Sequence, residues 1–180
     1  MENTTSPAKS GLQYAYLFGI IMILQFVVGY VLKIDPQTNK GYGIAINVLN
    51  YFILPILFIY LACANYKFKI NNGFVSFGQS LKIGVSLCVV AALIVAVFSA
   101  GFNLVFPEYF DEILRKMRSA MIEQNPNMTS DQVNTTLSVV KKFSNPAIAI
   151  PATVAMFAFI GLIYSLIIGA IVKKEPASSF

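Results

Sequence analysis

Four long stretches of this chain carry no Asp, Glu, Lys or Arg: residues 12–32, 42–66, 83–105 and 147–172. Each is apolar over the roughly 20 residues that an α-helix needs to cross about 30 Å of hydrocarbon. Backbone groups left unpaired in lipid cost several kcal/mol each, so partial crossings are disfavoured. The pattern predicts an all-α, polytopic membrane protein with four transmembrane helices. With their connections they fill residues 1–180 as a single membrane domain. Charged residues make up 12% of the sequence, about half the share of a soluble domain, which agrees with a surface that faces lipid.

The net charge of +5 would suggest nucleic acid in a soluble protein. Here it reads as lysines flanking spans, so the expected partner is the lipid bilayer and not nucleic acid. Histidine is absent, which removes the commonest general base, metal ligand and pH switch. Tryptophan is absent too, so tyrosines must supply any aromatic belt. Cys63 and Cys88 lie in apolar stretches without CxxC spacing and read as small buried residues, not as a disulfide or metal site. No cofactor, metal or catalytic set is expected.

The first span is longer than a signal-peptide core and ends Gly29-Tyr30-Val31-Leu32-Lys33 without a small-x-small cleavage site, so it reads as a retained helix. Basic residues set the expected orientation. Lys9, Lys67, Lys69, Lys82, Lys173 and Lys174 share one side. The other carries most of the acids, among them Asp35, Glu108, Asp111, Glu112, Glu123 and Asp131, with Glu2 and Glu175 left on the first side. Both termini are therefore expected in the cytoplasm, although Arg115, Lys116, Arg118, Lys141 and Lys142 weaken the bias.

Within the spans, Pro55 predicts a kink, since proline lacks the N–H and crowds the preceding turn. Asn47 and Asn50 precede it and read either as a polar site or, more simply, as glue between helices. Span three carries small residues at four-residue spacing, Gly84, Cys88, Ala92, Ala96 and Ala100, and span four carries Gly161, Ser165 and Gly169. Such stripes let backbones approach in lipid, so spans three and four are expected to pack together. No span holds an ionisable acid or base, which argues against an ion-coupled transporter.

Two connections stand out. On the inner side Asn72-Gly73 is a turn signal, and Ser76 with Gln79 forms a capping box that starts the third helix. Lys67, Lys69 and Lys82 sit there at headgroup depth, either as anionic-lipid contacts or as ordinary orientation signal. On the outer side, residues 108–144 read as an extracytoplasmic amphipathic helical hairpin. Phe110, Ile113, Leu114, Met117 and Met121 share one face of its first helix, and Asn125-Pro126-Asn127 ends that helix. Thr129 and Gln132 cap a second helix with Val133, Leu137, Val140 and Ser144 on one face. Asn145-Pro146 suits the start of span four. The hairpin caps the bundle, lies on the membrane or binds a protein partner. The acids Glu108, Asp111 and Glu112 suit a helix N-terminus more simply than a cation site. The N-x-S/T sequences at Asn3, Asn127 and Asn134 matter only in a eukaryotic secretory host.

The run Asn72-Gly73-Phe74-Val75-Ser76-Phe77-Gly78-Gln79-Ser80-Leu81-Lys82-Ile83-Gly84 and the break Phe106-Pro107-Glu108-Tyr109 resemble a bacterial membrane family known as domain of unknown function 4199, common in Bacteroidota. The resemblance covers roughly residues 12–174. It implies a bacterial inner-membrane protein and carries no activity with it. The functional expectation is a non-enzymatic interaction or structural component of the membrane, open to homo-oligomer formation. The alternative is passive passage of a small solute or ion through an oligomer, with Asn47, Asn50, Ser99 and Asn103 as path-lining candidates.

Overall fold

A computed structural model describes residues 6–34 and 39–175. Glu2, Asn3 and Asp35 lie outside the described residues. Among those described the fold is all-helical, with no strand. Four helices are long and apolar enough to cross a membrane: α1 (Leu12–Val31), α2 (Lys40–Ile70), α3 (Phe77–Val105) and α6 (Pro146–Val172). Between α3 and α6 lie α4 (Pro107–Gln124) and α5 (Ser130–Phe143). A short turn, Pro7–Ser10, precedes α1 and is tied to α3 where Ser86 Oγ donates to the Ala8 carbonyl at 3.2 Å.

Local chemistry sets the helix ends where the sequence places them. Ser76 and Gln79 form both bonds of a capping box, as do Thr129 and Gln132. Asn145 accepts from the Ala147 N–H with Pro146 in the first turn. Asn72 and Gly73 take positive φ angles of 50° and 87° in the turn before α3. The helices run past the uncharged stretches, because α2 starts at Lys40 and α3 at Phe77, so their first turns carry polar residues.

The four spans alternate in direction. One end, the terminal end, gathers residues 6–11, the turn between α2 and α3, and the end of α6. There Val75 and Lys174 exchange backbone hydrogen bonds of 2.9 Å each way, and Lys67 Nζ donates to the Val172 carbonyl at 2.8 Å. Lysine at this position satisfies a helix C-terminal carbonyl that has no partner within its own helix. The other end, the hairpin end, carries α4 and α5.

The most extensive helix pair is α3 with α6, and α3 also packs on α1. Small residues set this spacing. A Cβ on Gly84 would overlap Ser165 Oγ; one on Gly161 would lie 2.9 Å from Cys88 Cβ and 3.0 Å from the Gly84 carbonyl. A Cβ on Gly169 would meet Ser80 Cβ at 3.1 Å. Ala92 and Cys88 are fully buried and Ala96 nearly so, while Ala100 is half-buried.

Helix α2 is not regular. Residues Leu49–Ile53 form a π turn directly before Pro55. Proline has no N–H to offer the carbonyl four residues back, that of Tyr51, and the Tyr164 hydroxyl of α6 donates to that carbonyl at 3.0 Å. Beyond the turn, Leu54–Asn65 packs on α1, α3 and α6. The preceding half, Lys40–Val48, has no comparable packing against another span. Helix α6 continues through Pro151, near its own N-terminus.

If the glycine seam sets the α3–α6 distance, Gly84→Ala and Gly161→Ala each overpack it and cost about 1–3 kcal/mol. Gly101→Ala on the same α3 helix meets nothing within 4 Å and gains up to about 1 kcal/mol of helix propensity. Thermal unfolding in detergent should therefore lower the first two midpoints and hold or raise the third. Three equal midpoints would show that the seam yields freely.

Candidate functional site: a neutral cleft near the hairpin end

The half of α2 that leaves the bundle opens a cleft against α1 and α3. Its volume is about 230 Å³, and Tyr109 of α4 closes one side. Helix α1 contributes Gln25, Phe26, Gly29 and Tyr30; α2 contributes Tyr42, Ile46 and Asn50; α3 contributes Val95, Phe98 and Ser99. Most of this lining is apolar, and none of it is charged.

Two of the lining residues carry a buried oxygen without a partner. Gln25 Oε1 and Asn50 Oδ1 are both buried and accept no hydrogen bond. A buried unpaired acceptor costs roughly 1–3 kcal/mol, and both oxygens are closed off from a water-sized probe. The local fold explains how Asn50 reaches the cleft: it is part of the π turn before Pro55, and such turns recur at functional sites. Gly29 serves the cleft differently. The Tyr42 hydroxyl lies 2.9 Å from where a Cβ would stand on Gly29, so the bare backbone lets that ring lie against α1.

Edge-on rings tie the hairpin to this cleft. Tyr109 lies 5.1 Å from Tyr30, 5.5 Å from Phe102 and 6.0 Å from Phe26, ring centre to ring centre. Phe26 in turn meets Phe102 at 4.9 Å and Phe98 at 5.8 Å. With no tryptophan in the chain, phenylalanine and tyrosine build the aromatic contacts at this end. Edge-to-face pairs of this kind each add about 0.5–1.5 kcal/mol beyond their buried area.

The sequence candidates fall into three groups. Asn50 and Ser99 come together in the cleft, whereas Asn47 is exposed on the surface of α2 and Asn103 lies outside the lining. Among the described residues Asn47 forms no bond to another helix, contrary to the expectation of interhelical glue, because it sits on the half of α2 that has left the bundle. Gly84, Cys88, Gly161, Ser165 and Gly169 meet in the α3–α6 seam. Pro55 is buried at the α2 irregularity, which takes the form of a π turn. Of the three headgroup lysines, Lys67 turns inward to the Val172 carbonyl, and Lys69 and Lys82 are exposed.

Gln25 was missed by the sequence reading. Its only signal was an amide midway along an otherwise apolar span, and a search for charged residues passes over it. At the hairpin, Glu112 pairs with Lys116 at 2.7 Å and Arg118 bonds Asn134 at 3.1 Å across α4 and α5. Among the described residues no three Asp, Glu or Cys side chains converge as metal donors.

Four apolar helices of membrane-crossing length place the chain among multi-pass, all-α membrane proteins. It belongs to the family described as "Protein of unknown function (DUF4199)", whose family model matches residues 13–174. No curated protein and no solved structure matches the chain.

Proposed function

We propose that this is a non-enzymatic inner-membrane protein of a bacterium that acts by recognising a protein partner through its hairpin end. The observation that carries the reading is the incomplete burial of the hairpin. Helix α4 contains no buried residue, and α5 contains only Val133. Their amphipathic faces are as expected: Phe110, Ile113, Leu114, Met117 and Met121 are half-buried, as are Leu137, Val140 and Ser144. A hairpin that only capped its own bundle would close over that face. Instead an apolar strip bordered by charge stays accessible, with Ile122, Val139 and Phe143 exposed beside it. Exposed apolar surface of this kind marks interaction sites.

In this reading the hairpin lies on the extracytoplasmic side, and residues 6–11 and 172–175 lie on the cytoplasmic side. The support is charge. Among the described residues the terminal end carries Lys9, Lys67, Lys69, Lys82, Lys173 and Lys174 against Glu175. The hairpin end carries seven basic residues (Lys33, Lys40, Arg115, Lys116, Arg118, Lys141, Lys142) against five acidic ones (Glu108, Asp111, Glu112, Glu123, Asp131). Basic residues concentrate on the cytoplasmic side of short loops.

A photoreactive residue at Met117 should give a discrete protein adduct in intact cells, and one at the exposed Glu123 should not. Adducts to lipid alone would replace the partner reading with one in which the hairpin lies on the membrane. Sidedness is checked separately. A membrane-impermeant maleimide should label Ser138→Cys in intact cells and Lys69→Cys only after permeabilisation. The native thiols of Cys63 and Cys88 are buried and free, so background is low. The reverse labelling pattern would invert the orientation.

Asn47 favours a second reading, passive passage through several copies. An amide exposed on a spanning helix is costly in lipid and is relieved by a neighbouring chain. Under that reading liposomes holding the protein leak a small neutral solute, and Asn47→Leu abolishes the leak without loss of folding. Leak that is equal in wild type, Asn47→Leu and empty liposomes would end it.

A further inference from the structure

We propose that the outward face of the first half of α2 is where two copies of this chain meet, with Asn47 of each copy bonded to its counterpart in the other. The inference goes beyond the hairpin reading and does not need it. It shares Asn47 with the passage reading but does not rest on passage, since two chains can pair without opening a path.

Position along the helix defines the face. Ile44, Asn47 and Val48 stand at i, i+3 and i+4 and so share one side of α2. All three are exposed, Ile44 over 65% of its surface. Tyr42, Ile46 and Asn50 line the cleft on the other side of the same segment. The outward residues therefore find no cover in their own chain, and among the described residues the Asn47 side chain has no hydrogen-bond partner.

Depth makes that state costly. Asn47 lies within the uncharged stretch, beyond Lys40 by about 10 Å of helix rise at 1.5 Å per residue. Lys40 marks the headgroup level, so the amide stands among acyl chains. Lipid tails cover Ile44 and Val48 as well as another protein does. They offer Asn47 neither a donor nor an acceptor.

The amide itself selects the occupant. Asparagine carries an acceptor oxygen and an NH₂ donor, so it is complementary to its own kind. A second copy is inserted with the same orientation and brings Asn47 to the same depth without adjustment. Turned by 180° about an axis along the membrane normal, the two helices meet through the same residues, and each Nδ2 donates to the other's Oδ1. Twofold dimers are built from such self-complementary contacts, and single asparagines in apolar seams fix the number and register of helices. Lys40, two turns earlier on this face, approaches its own counterpart at headgroup level, where salt screens like charges. It also lines a groove with Glu112 and Glu123 of α4.

The test uses the full chain in phosphatidylcholine vesicles over a range of protein-to-lipid ratios, with disulfide formation read as a dimer band. Ile44→Cys should crosslink to a dimer. Leu104→Cys, equally exposed near the same end of α3, should not. The native Cys63 and Cys88 are buried and supply the background control. In the Ile44→Cys chain, Asn47→Leu should raise the protein-to-lipid ratio needed for half-crosslinking about tenfold. Asn47→Gln keeps both donor and acceptor and should stay near the parent value. All variants lie on exposed surface, so their unfolding midpoints at high dilution should match. Equal crosslinking at Leu104→Cys, or an unchanged ratio in Asn47→Leu, would overturn the proposal. A crosslinked dimer in vesicles that do not leak supports this interface while ending the passage reading; leak without any crosslink at Ile44→Cys overturns the interface and leaves passage standing.

Discussion

Ser165 of α6 occupies the place where any side chain on Gly84 of α3 would begin, and this contact organises the bundle. In lipid, apolar surface gains little by leaving one hydrocarbon environment for another, so helices associate through close packing. Glycine at 84, 161 and 169, against Ser165, Cys88 and Ser80, brings two long backbones together over several turns. Helix α3 then becomes the centre of the molecule, with α1 on one side, α6 on another and the packed half of α2 touching all three. The terminal end is reinforced by polar bonds: Val75 with Lys174, and Lys67 with the Val172 carbonyl. These bonds fasten the α2–α3 turn to the end of α6, so the terminal end closes on itself and the looser packing lies toward the hairpin.

That asymmetry links the cleft and the hairpin. Tyr109 belongs to α4 by sequence, yet its ring meets Tyr30, Phe26 and Phe102 of two spans and forms part of the cleft lining. A shift of α4 caused by a partner would therefore move one wall of the cleft.

The spans were legible because a run without charge and the length of a bilayer crossing are properties of sequence alone. The caps at Ser76, Thr129 and Asn145 were legible for a similar reason: each is a short-range contact between residues two or three apart. The amphipathic faces of α4 and α5 followed from helical period. The cleft was only half visible. Asn50 and Ser99 stood out as polar residues in apolar spans, but so did Asn47 and Asn103, and nothing local says which of the four share a space. That depends on where α2 parts from its neighbours, a tertiary property. Lys67 shows the same limit, because its bond to Val172 joins residues far apart in the chain.

Pro55 resolves where α2 parts. In a uniform helix its missing N–H would leave the Tyr51 carbonyl without its usual partner, a serious defect in lipid. The protein answers with a π turn and the Tyr164 hydroxyl. On the side after proline, α2 lies flat against three helices and buries Phe58, Ile59, Ala62 and Cys63. On the side before it, the helix stands away and Asn50 keeps an unpaired oxygen. A defect that served stability alone would be expected to end with every polar group satisfied. Here the repair covers the carbonyl that faces α6 and leaves Asn50, a residue of the cleft lining, with its oxygen unpaired. Local rules broken in one place and compensated beside it are the pattern of functional sites, and in this chain the breach and the cleft occupy the same turn of one helix.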